Sequence, residues 1–282
     1  MFHGIRRCLF ALGMVVGILS IGAEKVLVNG MCREPEFVRG GKSIVYRWDL
    51  KNGDSELHSV DVASSSVTKL GVEGTSPLDL GDADCFLYLD VSVLPDVFLY
   101  DFNTGTSRKL PLPEPPAGRP FVVGKDRIAY WAGFEVPSRL IVFDWRQGKE
   151  VELPMQVPDE TVLLSPDLTL AVVQVFTNQV SNLKVIELKS GKVLYETSAK
   201  SQNLQVNGCH SPAFSPDGKR MAFVWGDIQP VADIHMLDLK TLKAENITKN
   251  GADNQNPRFS SDGTKLAYTT GPGGNYQLMI RD

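Results

Sequence analysis

Apolar and polar residues alternate in short runs along most of the chain. Six such runs are IVYRWD (44–49), CFLYLD (85–90), RIAYWA (127–132), LAVVQV (170–175), MAFVWG (221–226) and LAYTTG (266–271). Each is followed by a second run that closes on an acidic residue: LHSVD, VFLYD, LIVFD, LKVIE, IHMLD and LMIRD, ending at Asp61, Asp101, Asp144, Glu187, Asp238 and Asp282. Alternation at period two places successive side chains on opposite faces of a strand. Four residues before the acidic position stand Leu57, Val97, Leu140, Leu183, Ile234 and Leu278. Two residues before it stand Ser59, Leu99, Val142, Val185, Met236 and Ile280. One face of nearly every unit is therefore apolar and needs a neighbour to cover it. No long run has helical period.

The acidic positions are separated by 40, 43, 43, 51 and 44 residues. A period of about 40–45 residues suits a four-stranded propeller blade, which cannot bury its apolar face alone. Short segments upstream of each pair (REPEFV, SPLDLG, RPFVVG, VLLSP, SPAFSP, NPRFSS) supply the innermost strands. Segments downstream (SVTKLG, SRKLPL, EVELPM, KVLYET, AENITK) supply outermost strands for five units. The sixth lacks one, and KVLVNG at 25–30 is free to provide it. The predicted fold is all-β: a six-bladed β-propeller of four-stranded antiparallel blades, closed by strand 25–30 completing the last blade. Closure would remove open sheet edges. The period runs through the Pro-rich connection LPLPEPPAGRP (110–120), so residues 24–282 are expected to form a single domain.

Two stretches, SPDGKRMAFVW (215–225) and SSDGTKLAYTT (260–270), repeat one phrase in which an Asp-Gly turn introduces a strand. SPDGKRMAFVWG and NPRFSSDGTKLAYTTGPGGNYQLMIRD resemble the repeats of the TolB-like propellers, a branch of the WD40-like group. EPEFVRGGKSIVYRW keeps Pro35, Phe37 and Gly41 without Asp-Gly, and SPDLTLAVVQV keeps Ser165, Pro166 and Asp167 with Leu168 in place of glycine. The resemblance implies a propeller, often six-bladed and exported in bacteria. The best-known member of that family carries a preceding α/β domain and binds a peptidoglycan-associated lipoprotein. Here propeller pattern begins at residue 25, without that domain, so a role in that envelope system is not expected.

The first residues differ from the rest. MFHGIRR is basic, and Cys8 to Ala23 is an uncharged apolar run followed by Glu24. Small residues Ser20, Gly22 and Ala23 suit a peptidase site, so residues 1–23 read as an export signal and the propeller as periplasmic or secreted. Retained, the same run would be a membrane anchor. Its removal takes away Arg6 and Arg7 and shifts the net charge from -4 to -6. No concentrated basic surface points to nucleic acid. The remaining cysteines, Cys32, Cys85 and Cys209, are odd in number and form no disulfide framework. Cys85 lies in a strand and reads as a buried thiol. Cys32 and Cys209 occupy equivalent loops, NGMCREPEF and VNGCHSPAF, and are read either as a disulfide in an oxidising compartment or as two free thiols.

Candidate chemistry is sparse. No Gly-x-Ser-x-Gly elbow occurs, and no histidine–carboxylate set has zinc spacing, so no catalytic residue, metal or cofactor is predicted. His58 and His235 each stand three residues before the strand-closing aspartate and read as structural. The recurring acidic residues, Asp217 and Asp262 included, read as turn residues. His210 differs, because NGCHSPAF places it at the start of an innermost strand. The expected binding rim is Arg33, Glu34, Arg119, His210, Asn256 and Arg258, with Glu36, Asp79, Asp159, Glu160, Asn254 and Gln255 as neighbours. The expected function is an exported, monomeric, non-catalytic module that binds an envelope or extracellular protein or peptide. A glycan is the second ligand class, and a carbohydrate-active or other small-substrate enzyme using the channel mouth is the alternative.

Overall fold

The computed structural model describes residues 24–81, 84–90, 96–124, 126–133, 139–153, 157, 161–177, 180–199, 208–228, 231–271 and 276–282. The first strand is β1 (Glu24–Asn29). Blade one follows as β2 (Cys32–Val38), β3 (Ser43–Asp49), β4 (Ser55–Asp61) and β5 (Val67–Glu73). Blade two is β6 (Thr75–Asp79), β7 (Cys85–Leu89), β8 (Val97–Asp101) and β9 (Thr106–Lys109). Blade three is β10 (Phe121–Val122), β11 (Arg127–Ala132), β12 (Arg139–Asp144) and β13 (Lys149–Glu150). Blade four is β14 (Thr161–Leu164), β15 (Leu170–Thr177), β16 (Val180–Glu187) and β17 (Lys192–Glu196). Blade five is β18 (Gly208–Phe214), β19 (Arg220–Ile228), β20 (Val231–Asp238) and β21 (Lys243–Asn246). Blade six is β22 (Asn254–Phe259), β23 (Leu266–Thr270) and β24 (Gln277–Arg281), with β1 antiparallel to β24 as its fourth strand.

Each apolar face finds its cover in the next blade. Ile44, Tyr46 and Val60 of blade one pack with Ala267, Leu278 and Leu27 of blade six. Val45 and Leu57, on the other side of blade one, pack with Phe86 and Tyr100. Leu87 and Leu99 meet Ile128 and Tyr130, and Ala129 and Val142 meet Leu164 and Ala171. Val172 and Val185 meet Phe223, and Ala222 and Ile234 meet Tyr268. Tyr46, Phe86, Tyr130, Phe223 and Tyr268 are each almost wholly buried, as core aromatics. A parallel bridge, Ser181 to Gly208, also joins blades four and five, with Ser181 Oγ donating to the Cys209 carbonyl at 2.7 Å. Gly208 has φ +66°, and a Cβ there would lie 2.1 Å from the Ser181 carbonyl oxygen, so this crossing needs glycine.

The repeated phrase is a hydrogen-bonded turn. Ser215 Oγ donates to Asp217 at 2.6 Å and accepts from Arg220 N–H at 2.9 Å. Ser260 repeats this with Asp262 and Lys265, and Ser165 with Asp167 and Leu170. The strand-closing aspartates Asp61, Asp101, Asp144 and Asp238 each accept two backbone N–H groups of the following turn. His58 stacks on Trp48 with centroids 5.8 Å apart and accompanies Tyr46, while His235 packs on Trp225 and Phe223. Both histidines are therefore built into aromatic stacks.

The disulfide considered between Cys32 and Cys209 is not formed. Both side chains are buried, Cys32 in the core between blades six and one and Cys209 in the core between blades four and five, so the two do not meet. Cys85 is buried too, as expected. The segment 1–23 lies outside the described residues; among those described, no helix is long and apolar enough to cross a membrane.

Candidate functional site

The innermost strands share an irregularity that shapes the centre of the molecule. In β2, β6, β18 and β22 the register against the neighbouring strand shifts, between Arg33 and Glu36, Thr75 and Leu78, His210 and Ala213, and Gln255 and Arg258. Within each shift lies a residue–proline pair whose first member has positive φ: Glu34 (50°), Ser76 (53°), Ser211 (51°) and Asn256 (55°). Proline supplies no N–H to the ladder, and a bulge there re-aims the side chains on either side. Arg119–Pro120 opens the corresponding segment of blade three.

Side chains from all six blades line one central cavity of about 980 Å³. Since the blades are antiparallel, innermost strands begin on the face where the second strand of each blade ends. Arg119, Trp131, Phe176, His210 and Asn256 stand toward that inlet, while Gly124, Pro166, Pro216 and Ser261 line the opposite end, near the Asp-Gly turns. Phe176 is 70% exposed. Phe121, Val122, Val162, Leu163 and Phe214 make one wall apolar.

The polar side is held by blades six and one. Arg258 Nε donates to Glu36 Oε2 at 3.1 Å. Burial raises the Glu36 carboxyl, against the downward pull of Arg258, Arg119 and the Asp79 backbone N–H. Arg119 is exposed and lines the cavity. Desolvation first, then Arg258, push its pKa down, but a guanidinium remains protonated. Among the described residues Arg119 has no hydrogen bond or ion pair. His210 Nδ1 lies 3.0 Å from Ser211 Oγ. Burial holds His210 below its ordinary pKa, partly offset by the Asp253 carboxylate, so the ring is neutral at pH 7.

The structure thus brings Arg119, His210, Asn256 and Arg258 of the expected rim to one cavity. Arg33 and Glu34 do not line it. Arg33 Nε pairs with Asp49 at 2.7 Å, and Glu34 takes Arg47 at 3.1 Å and the Ser76 N–H at 2.7 Å, so both belong to a network tying blade one to blade two. Of the neighbours, Glu36 and Asp79 line the cavity. Asn254 is fully buried and bonded to the Ala232 and Ala252 carbonyls, while Asp159 and Glu160 lie outside the described residues. Sequence reasoning gave Phe176 no role, singled out Trp131 as an exposed strand aromatic without placing it on a surface, and missed the apolar wall. Apolar residues of innermost strands look like core, and only alignment of the residue–proline pairs across blades would have separated channel positions from core positions. Among the described residues no group of three His, Cys, Asp or Glu side chains stands close enough to hold a metal.

No protein-family model matches the chain, and no curated protein matches it. Solved structures do. An oligogalacturonate lyase from Vibrio parahaemolyticus is similar at 13% identity and TM-score 0.54, over 91% of this chain and 79% of that one. The β-propeller domain of the Trilobed protease from Pyrococcus furiosus is similar at 14% identity and TM-score 0.52, over 90% and 81%. That domain has an open velcro topology, whereas here β1 is hydrogen-bonded into the last blade. The chain also aligns over 92% of its length with 56% of TolB from Acinetobacter baumannii, at 12% identity and TM-score 0.39, and so spans little more than half of that protein. At these identities the likeness to the lyase and to the protease domain shows the β-propeller fold.

Proposed function

We propose that this propeller is an exported, non-catalytic binding module whose inlet face receives a segment of an envelope or extracellular protein or peptide. The observation that carries this reading is the inlet itself: exposed Phe176 and half-buried Trp131 stand beside Arg119, His210 and Asn256 around one cavity. Aromatic and arginine side chains around a concave, largely apolar site are what binding hot spots use. Export is supported by the pattern of residues 1–23. The test is capture of partners by cross-linking intact host cells. A protein recovered with the wild type and lost with an Arg119/His210/Asn256 triple alanine variant is the expected result; equal recovery from both would refute the reading.

The rival is a small-substrate enzyme using the same mouth. Its motivation is the 3.0 Å contact between His210 Nδ1 and Ser211 Oγ, and one structural neighbour is a lyase. Against it, the left-handed backbone at Ser211 recurs at Glu34, Ser76 and Asn256, so it belongs to the blade design and does not mark a nucleophile. Turnover of any member of a glycan and peptide panel, abolished by His210→Ala, would establish the rival. No turnover is expected.

A further inference from the structure

Three of the charged side chains lining the cavity are arginines (Arg119, Arg127, Arg258) and two are carboxylates (Glu36, Asp79), in a protein of net charge -4. Their pairings leave one cation over. Arg258 is held by Glu36. Arg127, at the far end, donates to the Pro166 carbonyl at 3.2 Å. The Asp79 carboxylate accepts the Gly81 N–H at 3.0 Å. Arg119 alone of the three arginines has no hydrogen bond or ion pair among the described residues. The carboxylates nearest to it in effect, Glu34 and Glu36, act on it through space while bonded elsewhere: Glu34 to Arg47 and the Ser76 N–H, Glu36 to Arg258. Arg119 is thus an exposed guanidinium without a protein partner among the described residues, in a cavity with an apolar wall. It is also a ready fork for a carboxylate.

We infer that the channel binds a ligand with a carboxylate head and an apolar body, the head on Arg119 and the body along Phe121, Leu163 and Phe214. This rests on the reading of the inlet as the binding face and narrows it. The same chemistry is presented by the C-terminal carboxylate of a peptide ending in apolar residues and by a free aliphatic carboxylic acid. The cavity volume of about 980 Å³ is in the range of sites that enclose such bodies. The Arg258–Glu36 pair already satisfies its own charges, so its role is to hold the polar side of the cavity.

Calorimetric titration of the purified protein decides the matter with two probe pairs: acetyl-Gly-Gly-Leu-Phe as free acid and as amide, and octanoate against octanol. At least one acid is expected to bind tenfold or more tightly than its uncharged partner. Arg119→Gln should erase that difference, with the melting temperature unchanged, while Arg108→Gln, on exposed β9, should keep it. Discrimination only with the peptide pair makes a chain terminus the ligand. Discrimination only with octanoate keeps the inference but counts against a peptide partner. Equal binding of acid and uncharged probe, or no binding of any probe, overturns the inference. Should capture from the inlet still succeed in that case, the binding-face reading survives without it.

Discussion

At the scale of single residues, the chain's most recognisable phrase turns out to be about folding. Ser260 is nearly fully buried, and its hydroxyl both donates to Asp262 at 2.6 Å and accepts the Lys265 N–H at 2.9 Å. The Ser260 hydroxyl, then the Thr264 N–H and hydroxyl, lower Asp262 from 3.8 to about 2. A carboxyl lowered on folding contributes stability above its unfolded pKa, and that contribution is lost as pH falls from about 4 through about 2. In Ser260→Ala the Asp262 midpoint, followed by NMR, should move up toward 3.8, with a loss of about 1–2 kcal/mol for the missing buried hydrogen bonds. An unchanged midpoint would mean Thr264 alone sets it. This turn was legible in the sequence because Ser, Asp and Gly act on their own neighbours. The fate of Arg33 and Glu34 was not, because it depends on Asp49 and Arg47 across the sheet and on Ser76 in the next blade.

At the scale of elements, period two located the second and third strands of every blade to within three residues. The expected fourth strand of the last blade is β1, paired from Glu24 with Arg281 to Asn29 with Gln277. The innermost and outermost strands were less legible. β10 and β13 are only two residues long, as the Pro-rich connection and an exposed edge leave little to pair. The bulges at Glu34, Ser76, Ser211 and Asn256 went unforeseen although a proline follows each in the sequence. Leu27 of β1 is 7% exposed and packs in the core shared by blades six and one. Leu27→Ala should cost about 2–3 kcal/mol, toward the low end of core truncations because β1 is an edge strand. Urea unfolding measures this. A loss no larger than that of an exposed control such as Val67→Ala would show that β1 contributes little to the last blade.

At the scale of the whole molecule, six interblade cores leave a cavity along the centre, and its character follows from which residues the innermost strands present. Blades one and six present Glu36 and Arg258 and blade three presents Arg119, while Leu163 and Phe214 of blades four and five present hydrocarbon. The sequence announced the charged members of this set and hid the apolar ones among the core. The central claim, that the inlet face binds, is tested most directly by placing a photoreactive phenylalanine analogue at Phe176, which is exposed at the inlet, and in a separate variant at Lys240, exposed on the opposite face. After irradiation of intact host cells, a discrete adduct should form from position 176 and not from 240, and Arg119→Gln should diminish it. An adduct formed from 240 alone, or none from 176, would contradict the account.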